Sequence, residues 1–456
     1  MSLRRHFESS GAVLAVSLFC AFLCSFTIEG RVLVSVSSRG GFDCRKLVFA
    51  AMTAHVAGLL LCGFFVRDWR AARRVFAGAC CLALLSSLPF CFRPAPFWFA
   101  VLPFQAFVCG FALASWGALL RAGVPRERRF KACAELLILT ASFVSFIYVV
   151  MELSSPLTAL GLALAFLAAA AAAGARLPPG REPETEQSAA LARPTALLCL
   201  FILIFTINSG LMYQVVLPAF DRVSGFADWF WNVPYIAAIA VLSLAPMKNR
   251  RSWSLYAGIV MLMLSFLAFV VSGRGPGGFV AVNTLMLGAF GIFDLFWWSV
   301  ITEMLDYARN PVKQFGVCMA ANVGGVALGD GLGQLVTALG FRGSNIALLA
   351  MSVICVTLLL LPFLNARLLA LFREQAFLPA SRTEEPAVGA RPPEPCAPLT
   401  RRESDVFRLL LDRKSNAEIA AELCLTENTI KTHVRNILAK YEAASRKELF
   451  SKLKGL

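Results

Sequence analysis

The sequence predicts an all-α protein in two parts. A polytopic membrane helix bundle of about 12 spans, arranged six and six, precedes a C-terminal module of four short helices that folds in water. Three observations predict this. Of 456 residues, 58% are hydrophobic and only 16% charged, well outside the balance of a soluble globular chain. Apolar runs near 20 residues long recur until about residue 370, each long enough to cross the hydrocarbon core as a helix. Beyond that point the chain turns polar, basic and dense in helix-start signals.

The expected spans are 11–28, 47–66, 75–92, 97–120, 132–151, 156–175, 195–216, 229–247, 253–272, 278–301, 315–339 and 344–363. Arg4 and Arg5 precede the first run as they would in a signal peptide, but the run is too long and lacks a small-x-small cleavage site. It is expected to be a retained helix. Basic residues set the orientation. With a cytoplasmic N-terminus, the inner loops carry Arg67, Arg70, Arg73 and Arg74, then Arg121, Arg126, Arg128, Arg129 and Lys131, then Lys248, Arg250 and Arg251. Most outer loops hold one basic residue or none; the first, with Arg31, Arg39, Arg45 and Lys46, is the exception. An even number of spans returns the C-terminal module to the cytoplasm. The net charge of +15 lies mostly in the inner loops, where it favours anionic lipid headgroups.

Residues 176–194 form the one long polar loop of the body, dividing half one (1–175) from half two (195–370). In the second loop, GFFVRDWRAARR places Gly63, Asp68, Arg70, Arg73 and Arg74 close to the pattern G-x-x-x-D-R-x-G-R-R. Together these features resemble the major facilitator superfamily. The interval from Gly63 to Asp68 is one residue longer than that pattern, and Ala71 replaces a Gly. This departure puts active transport in question.

Residues 371–398, rich in Pro and Glu toward their end, read as a flexible linker. About 20 such residues span roughly 25 Å. The module, 399–456, then opens with a capping box at Thr400/Glu403 and repeats it at Ser415/Glu418 and Ser445/Glu448. A further start at Thr426 gives four helices, roughly 401–412, 416–423, 427–441 and 446–454. Only Cys424 and Leu425 separate the second and third, which is helix-turn-helix spacing. With Ile430, Val434 and Ile437 turned inward, the third helix presents Asn428, Lys431, Thr432, Arg435 and Asn436. Lys and Arg suit phosphates and guanine edges, and Asn suits adenine.

The runs LT-x-R-E, S-N-x-E-I-A and L-T-E-N-T-I-K-T-H-V-R-N-I-L-x-K resemble the LuxR-type (NarL/FixJ) helix-turn-helix over the whole module. The resemblance implies a recognition helix over 427–441. The expected DNA-facing set is Thr426, Asn428, Thr429, Lys431, Thr432, His433, Arg435, Asn436 and Lys440. It also implies a homodimer formed through the fourth helix. Arg401 departs from the family's usual Pro, Arg413 and Cys424 from Gly, and Tyr441 from Leu. A non-Gly residue where positive φ is favoured costs about 1 kcal/mol, so these changes touch stability more than the reading face.

Polar groups inside spans mark a site or a helix contact. Asp294 beside Trp297 and Trp298, with Asn208, Tyr213 and Asp330, suits a midplane pocket for an apolar or aromatic ligand bearing a cation or donor. The alternative for each is hydrogen bonding between helices. His55 is expected to make such a bond, and Gly325, Gly329 and Gly333, four residues apart, to pack helices. Fourteen Cys and three His form no metal-ligand pattern, G-D-G-L-G has neither the preceding strand nor the Gly-Lys of a phosphate loop, and no nucleophile meets a base. Neither enzymatic activity, cofactor nor metal is expected.

The sequence thus points to a one-component transcription regulator in a bacterial inner membrane, with both termini cytoplasmic. Its expected partners are promoter DNA, membrane lipid and an unidentified small molecule. The alternative is a small-molecule transporter carrying a regulatory tail that binds DNA or protein.

Overall fold

The computed structural model describes residues 2–28, 30–38, 44–177, 191–212, 216, 218–223, 230–244, 250–340, 352–353, 356, 399–412, 414–423, 425–441, 443, 446 and 448–449. Of these, the side chains of 2–10, 45, 218, 221–222, 250–254 and 337 are not described. The chain divides into two compact units, Met1–Arg373 and Glu374–Leu456.

The first unit is a helical bundle. Its helices are α1 (Ser2–Phe22), α2 (Arg31–Ser38), α3 (Arg45–Phe65), α4 (Trp69–Ser87), α5 (Trp98–Gly123), α6 (Arg129–Leu153) and α7 (Pro156–Ala175). Then come α8 (Ala192–Leu211), α9 (Val233–Leu244), α10 (Arg250–Val271), α11 (Pro276–Met304) and α12 (Pro311–Ala338). Among the described residues nine helices are long and apolar enough to cross a membrane, and Val233–Leu244 and Leu255–Val271 are shorter apolar helices. The expected span at 344–363 falls almost entirely outside the described residues, as do residues 178–190 of the expected polar loop and the linker.

Local chemistry explains several starts. Asp68 sits in an extended conformation and accepts from the Ala71 backbone N–H at 2.7 Å, so the carboxylate of the degenerate second-loop motif serves as the N-cap of α4. Ser155 does the same for α7, with Pro156 in the first turn where its missing N–H costs nothing. Between the expected spans 11–28 and 47–66, where a loop is expected, the structure forms α2, which follows a π-helical turn, Leu23–Thr27, and buries Val32, Leu33 and Val36; residues 39–43 lie outside the described residues. Apolar residues at i, i+1 and i+4 are the signal, in a segment too short to stand out as a span.

Two seams join α1–α7 to α8–α12: α12 packs on α3 and α5, and α6 packs on α9 and α11, while α12 also packs on α8. Glycine allows the closest approach: a Cβ at Gly329 would lie 2.1 Å from the Ile207 carbonyl oxygen, and one at Gly63 would lie 2.5 Å from Lys313 Cα. At one end of the bundle, arginines of the first half clasp the C-terminal turn of α11. Arg129, almost fully buried, pairs with Asp306 at 2.8 Å and donates to the Thr302 carbonyl at 3.1 Å. Arg121 donates to the Ala308 carbonyl at 3.0 Å, and Arg126 to the Tyr307 hydroxyl at 2.6 Å. Cations at a helix C-terminus complement its exposed carbonyls.

The second unit is a small helical module of α13 (Arg401–Leu411), α14 (Asn416–Leu423) and α15 (Glu427–Lys440). Its core joins Val406, Leu409, Leu410, Ile419, Ala420, Ile430, Val434, Ile437, Ala443 and Leu449. Ser445, the expected cap of a fourth helix, lies outside the described residues, as do Arg413 and Cys424.

Candidate nucleic-acid interface and central cavity

The module holds its third helix by caps and one buried ion pair. At α13 both halves of the capping box form: Glu403 N–H donates to Thr400 Oγ1 at 3.3 Å, and Thr400 N–H to Glu403 Oε2 at 2.8 Å. Ser415 and Glu418 repeat it at α14, at 3.3 and 2.7 Å. Thr426 caps α15 by accepting from the Thr429 N–H at 3.3 Å. Backbone bonds from Lys414 to Leu409, Leu425 to Ala420 and Ala443 to Leu438 close the helix ends, each spanning five positions as in Schellman turns. Lys440 reaches back to Glu403 at 2.7 Å, and Glu403 is 4% exposed. The Lys440 ammonium first, and the Thr400 N–H second, hold the Glu403 carboxyl down at about 2. The residue that departs from the family's Leu, Tyr441, stacks on Phe407 with ring centres 5.1 Å apart and planes at 12°.

The expected DNA-facing residues therefore separate by surroundings. Asn428, Lys431, Thr432, Arg435 and Asn436 are exposed along α15, while Thr429 and His433 are half-buried. Lys431 lies 3.2 Å from Glu427 one turn back, a solvent-exposed pair, and Thr432 donates to the Asn428 carbonyl at 3.1 Å. Arg435 has no partner among the described residues. Thr426 and Lys440, by contrast, are engaged as cap and ion-pair partner.

In the first unit a cavity of about 520 Å³ lies between the seams, the size of a small-molecule site. Its wall includes Arg31, His55, Thr140, Asn232, Tyr235 and Asp294, with aromatic faces from Tyr148, Trp231, Phe290 and Trp298. Among the described residues, none of its lining belongs to the arginine-clasped end. Asp294 accepts from the Tyr235 hydroxyl at 2.8 Å and from Trp297 Nε1 at 3.1 Å. His55 Nδ1 is 2.8 Å from the Ala106 carbonyl oxygen, which fixes Nδ1 as the donor. His55 Nε2 and Thr140 Oγ1 have no hydrogen-bond partner among the described residues.

Of the six residues singled out for a pocket, Asp294 and Trp298 are on its wall. Trp297 stands behind Asp294 and donates to it. Asp330 does not line the cavity; it accepts from Gln334 at 2.8 Å one turn along α12, on a helix drawn against α8 by Gly210 and Gly329. Asn208 also lies off the wall, donating to the Phe205 carbonyl at 3.3 Å, and Tyr213 is outside the described residues. Sequence reasoning missed Arg31, Trp231, Asn232 and Tyr235. In WFWNVPYI the polar Asn232 and Tyr235 are one helical turn apart, a signal of a shared inward face.

Fold and site together define the chain as a multi-pass membrane bundle of transporter architecture fused to a helix-turn-helix module of the DNA-binding kind. Residues 397–453 match the family described as bacterial regulatory proteins, luxR family. Curated relatives match over stretches of similar length. The uncharacterized transcriptional regulatory protein YhcZ of Bacillus subtilis is 58% identical over 48 residues, 10% of this chain and 22% of YhcZ. LiaR, a transcriptional regulatory protein of Bacillus subtilis, is 44% identical over 48 residues, 10% of this chain and 23% of LiaR. The regulator MalT of Vibrio cholerae is 48% identical over 52 residues, 11% of this chain and 6% of MalT. The chain thus spans less than a quarter of these relatives. Solved transporters match the bundle. Human organic anion transporter MFSD10 superposes with a TM-score of 0.62 at 12% identity, over 79% of this chain and 100% of that one. The major facilitator proton:xylose symporter XylE gives 0.58 at 12%, over 79% and 96%. At such identities the likeness establishes the fold alone.

Proposed function

We propose that this protein is a membrane-embedded one-component transcription regulator, in which the bundle senses a small molecule and the LuxR-type module binds promoter DNA. The observation that carries this is the exposed Asn428–Lys431–Thr432–Arg435–Asn436 face of α15, on a module of regulatory type, in one chain with a cavity-bearing bundle. Lys431 and Arg435 contact phosphates or guanine edges, Asn428 and Asn436 read bases, and His433 and Thr429 support the face from its edge. Thr426 and Lys440 act by fixing the helix. In the bundle, Asp294 and Trp298 contact the ligand.

The basic loops favour a bacterial inner membrane with both termini cytoplasmic, where the linker keeps the module within a few nanometres of anionic lipid. Homodimerisation through 445–454 doubles the contacts to a two-fold operator. Ligand binding to one conformer of the bundle then changes how the tethered modules pair.

The test compares genome-wide DNA occupancy and transcripts for the native protein and a Lys431→Ala/Arg435→Ala variant at equal membrane abundance. Joint loss of peaks and of a small set of transcripts is expected; unchanged occupancy would sink the proposal. The transporter fold and its cavity favour a second function, flux. Uptake of a candidate solute into proteoliposomes would establish transport, and binding without flux would leave a sensor alone.

A further inference from the structure

We infer that the ligand of the central cavity is a small organic ammonium ion with a planar or aromatic body, its charge seated on Asp294. This deepens the sensor role proposed above and rests on it. Asp294 is partly exposed and lines the cavity. Both of its oxygens act as acceptors, one from the Tyr235 hydroxyl at 2.8 Å and one from Trp297 Nε1 at 3.1 Å, as an ionised carboxylate's do. Each oxygen keeps a further lone pair. No Lys, Arg or His lies within ion-pair distance of Asp294 among the described residues.

A carboxylate withdrawn from water is costly unless a counter-charge completes it, and two neutral donors offset only part of that cost. Arg31 is the cationic side chain of the wall, and it does not complete Asp294. Its guanidinium lies 5.4 Å from the ring centre of Tyr148. Both α6 and α11 can be measured from the Arg129–Asp306 pair at 1.5 Å per residue. Asp294 is then about 18 Å along and Tyr148 about 28 Å, so the backbones that carry the two residues are offset by roughly 10 Å along the bundle.

The walls around the carboxylate are aromatic. Trp298, Tyr235 and Phe290 line the cavity, and Trp298 packs beside Trp297 at 5.6 Å. Ring faces attract a cation and exclude water from it, and they accept a flat apolar body without polar partners. A neutral donor would satisfy one lone pair and leave the charge unmatched; an ammonium satisfies both.

The experiment uses the purified full-length protein in lipid nanodiscs and a pair of isosteres, benzylammonium and ethylbenzene, which differ in charge and hardly in shape. Binding is read by saturation-transfer NMR and competition. The native protein is expected to bind the cation at least tenfold more tightly than the hydrocarbon. Asp294→Asn should abolish that preference at unchanged thermal stability, whereas Asp330→Asn, off the cavity wall, keeps it. Trp298→Phe retains a ring with a weaker cation-binding face. It should weaken the cation several-fold and leave the hydrocarbon unaffected, which keeps the test decisive if Asp294→Asn does not fold. Equal affinity for the two isosteres, no binding of the cation, or a preference that survives Asp294→Asn overturns the assignment. The regulator proposal is judged separately by Lys431→Ala/Arg435→Ala occupancy, so the two failures are distinguishable.

Discussion

The two units solve the same problem, holding helices together, with opposite means. In the bundle the helix contacts rest on backbones brought together, as where Gly329 meets Ile207 and Gly63 meets Lys313, and on a few polar groups such as Thr206 donating to the Asn322 carbonyl at 3.1 Å. Charge is confined mainly to the ends, where Arg121, Arg126 and Arg129 clasp the last turn of α11. In the module a core that holds ten buried residues among those described is framed by capping boxes and the Lys440–Glu403 pair. Lipid offers no hydrophobic drive between helices, so the bundle depends on fit; water supplies that drive, so the module depends on a small apolar core and on satisfied helix ends.

The contrast is broken most severely by filling a glycine contact. Gly329→Leu places side-chain atoms where the Ile207 carbonyl oxygen already lies at 2.1 Å, and a backbone neighbour cannot swing away. The expected cost is about 3 kcal/mol, the upper end for overpacking. Size-exclusion and thermal unfolding of the full-length protein should show a collapsed or dispersed bundle, while the same change at Gly324, which has nothing within 4 Å, is tolerated.

That difference also explains what was legible beforehand. The module's caps are local: Thr400, Glu403, Ser415, Glu418 and Thr426 announce the helix starts within four residues, and the structure forms each of these bonds. Most spans were legible too, because a bilayer demands length and apolarity together. The cavity wall was not. Asp294 and Asp330 are both carboxylates inside apolar runs, yet one faces the cavity and the other bonds Gln334, a choice made by which face of each helix the glycines draw inward. Arg31 and Trp231 reach the wall through packing between distant segments, which no local pattern records.

A second prediction strikes the module and spares the bundle. Ile437 is fully buried, and Ile437→Ala removes three carbons from a core too small to collapse around the gap. The expected loss is about 2–4 kcal/mol, enough to unfold most of a marginal domain. DNA binding by the full-length protein should vanish at 37 °C, and the bundle should remain monodisperse; loss of both would mean that the bundle needs the module to fold.

A third sharpens the comparison through pH. Glu403 has its folded value depressed to about 2, below an unfolded value of about 4.3, so its contribution is complete above pH ~4.3 and is lost as pH falls toward 2. Urea unfolding of the module should weaken across that window. Glu403→Gln should cost about 1.5–3 kcal/mol at neutral pH, the worth of a hydrogen bond to a charged group, and flatten the acid dependence. An unchanged acid slope would mean that other carboxylates carry it.

The smallest effect separates stability from reading. Lys431 and Glu427 form an exposed pair at 3.2 Å, and such pairs contribute about 0.3–0.5 kcal/mol on a helix. Glu427→Gln should therefore leave the unfolding midpoint nearly unchanged. It also frees the Lys431 ammonium and removes a negative charge from the N-terminal turn of α15, so affinity for DNA should rise, with a steeper salt dependence. Fluorescence anisotropy across a salt series measures this directly. A module destabilised by more than about 1 kcal/mol, with no gain in affinity, would place Lys431 among the residues that hold the helix, beside Lys440, and leave Arg435 as the principal cation of the reading face.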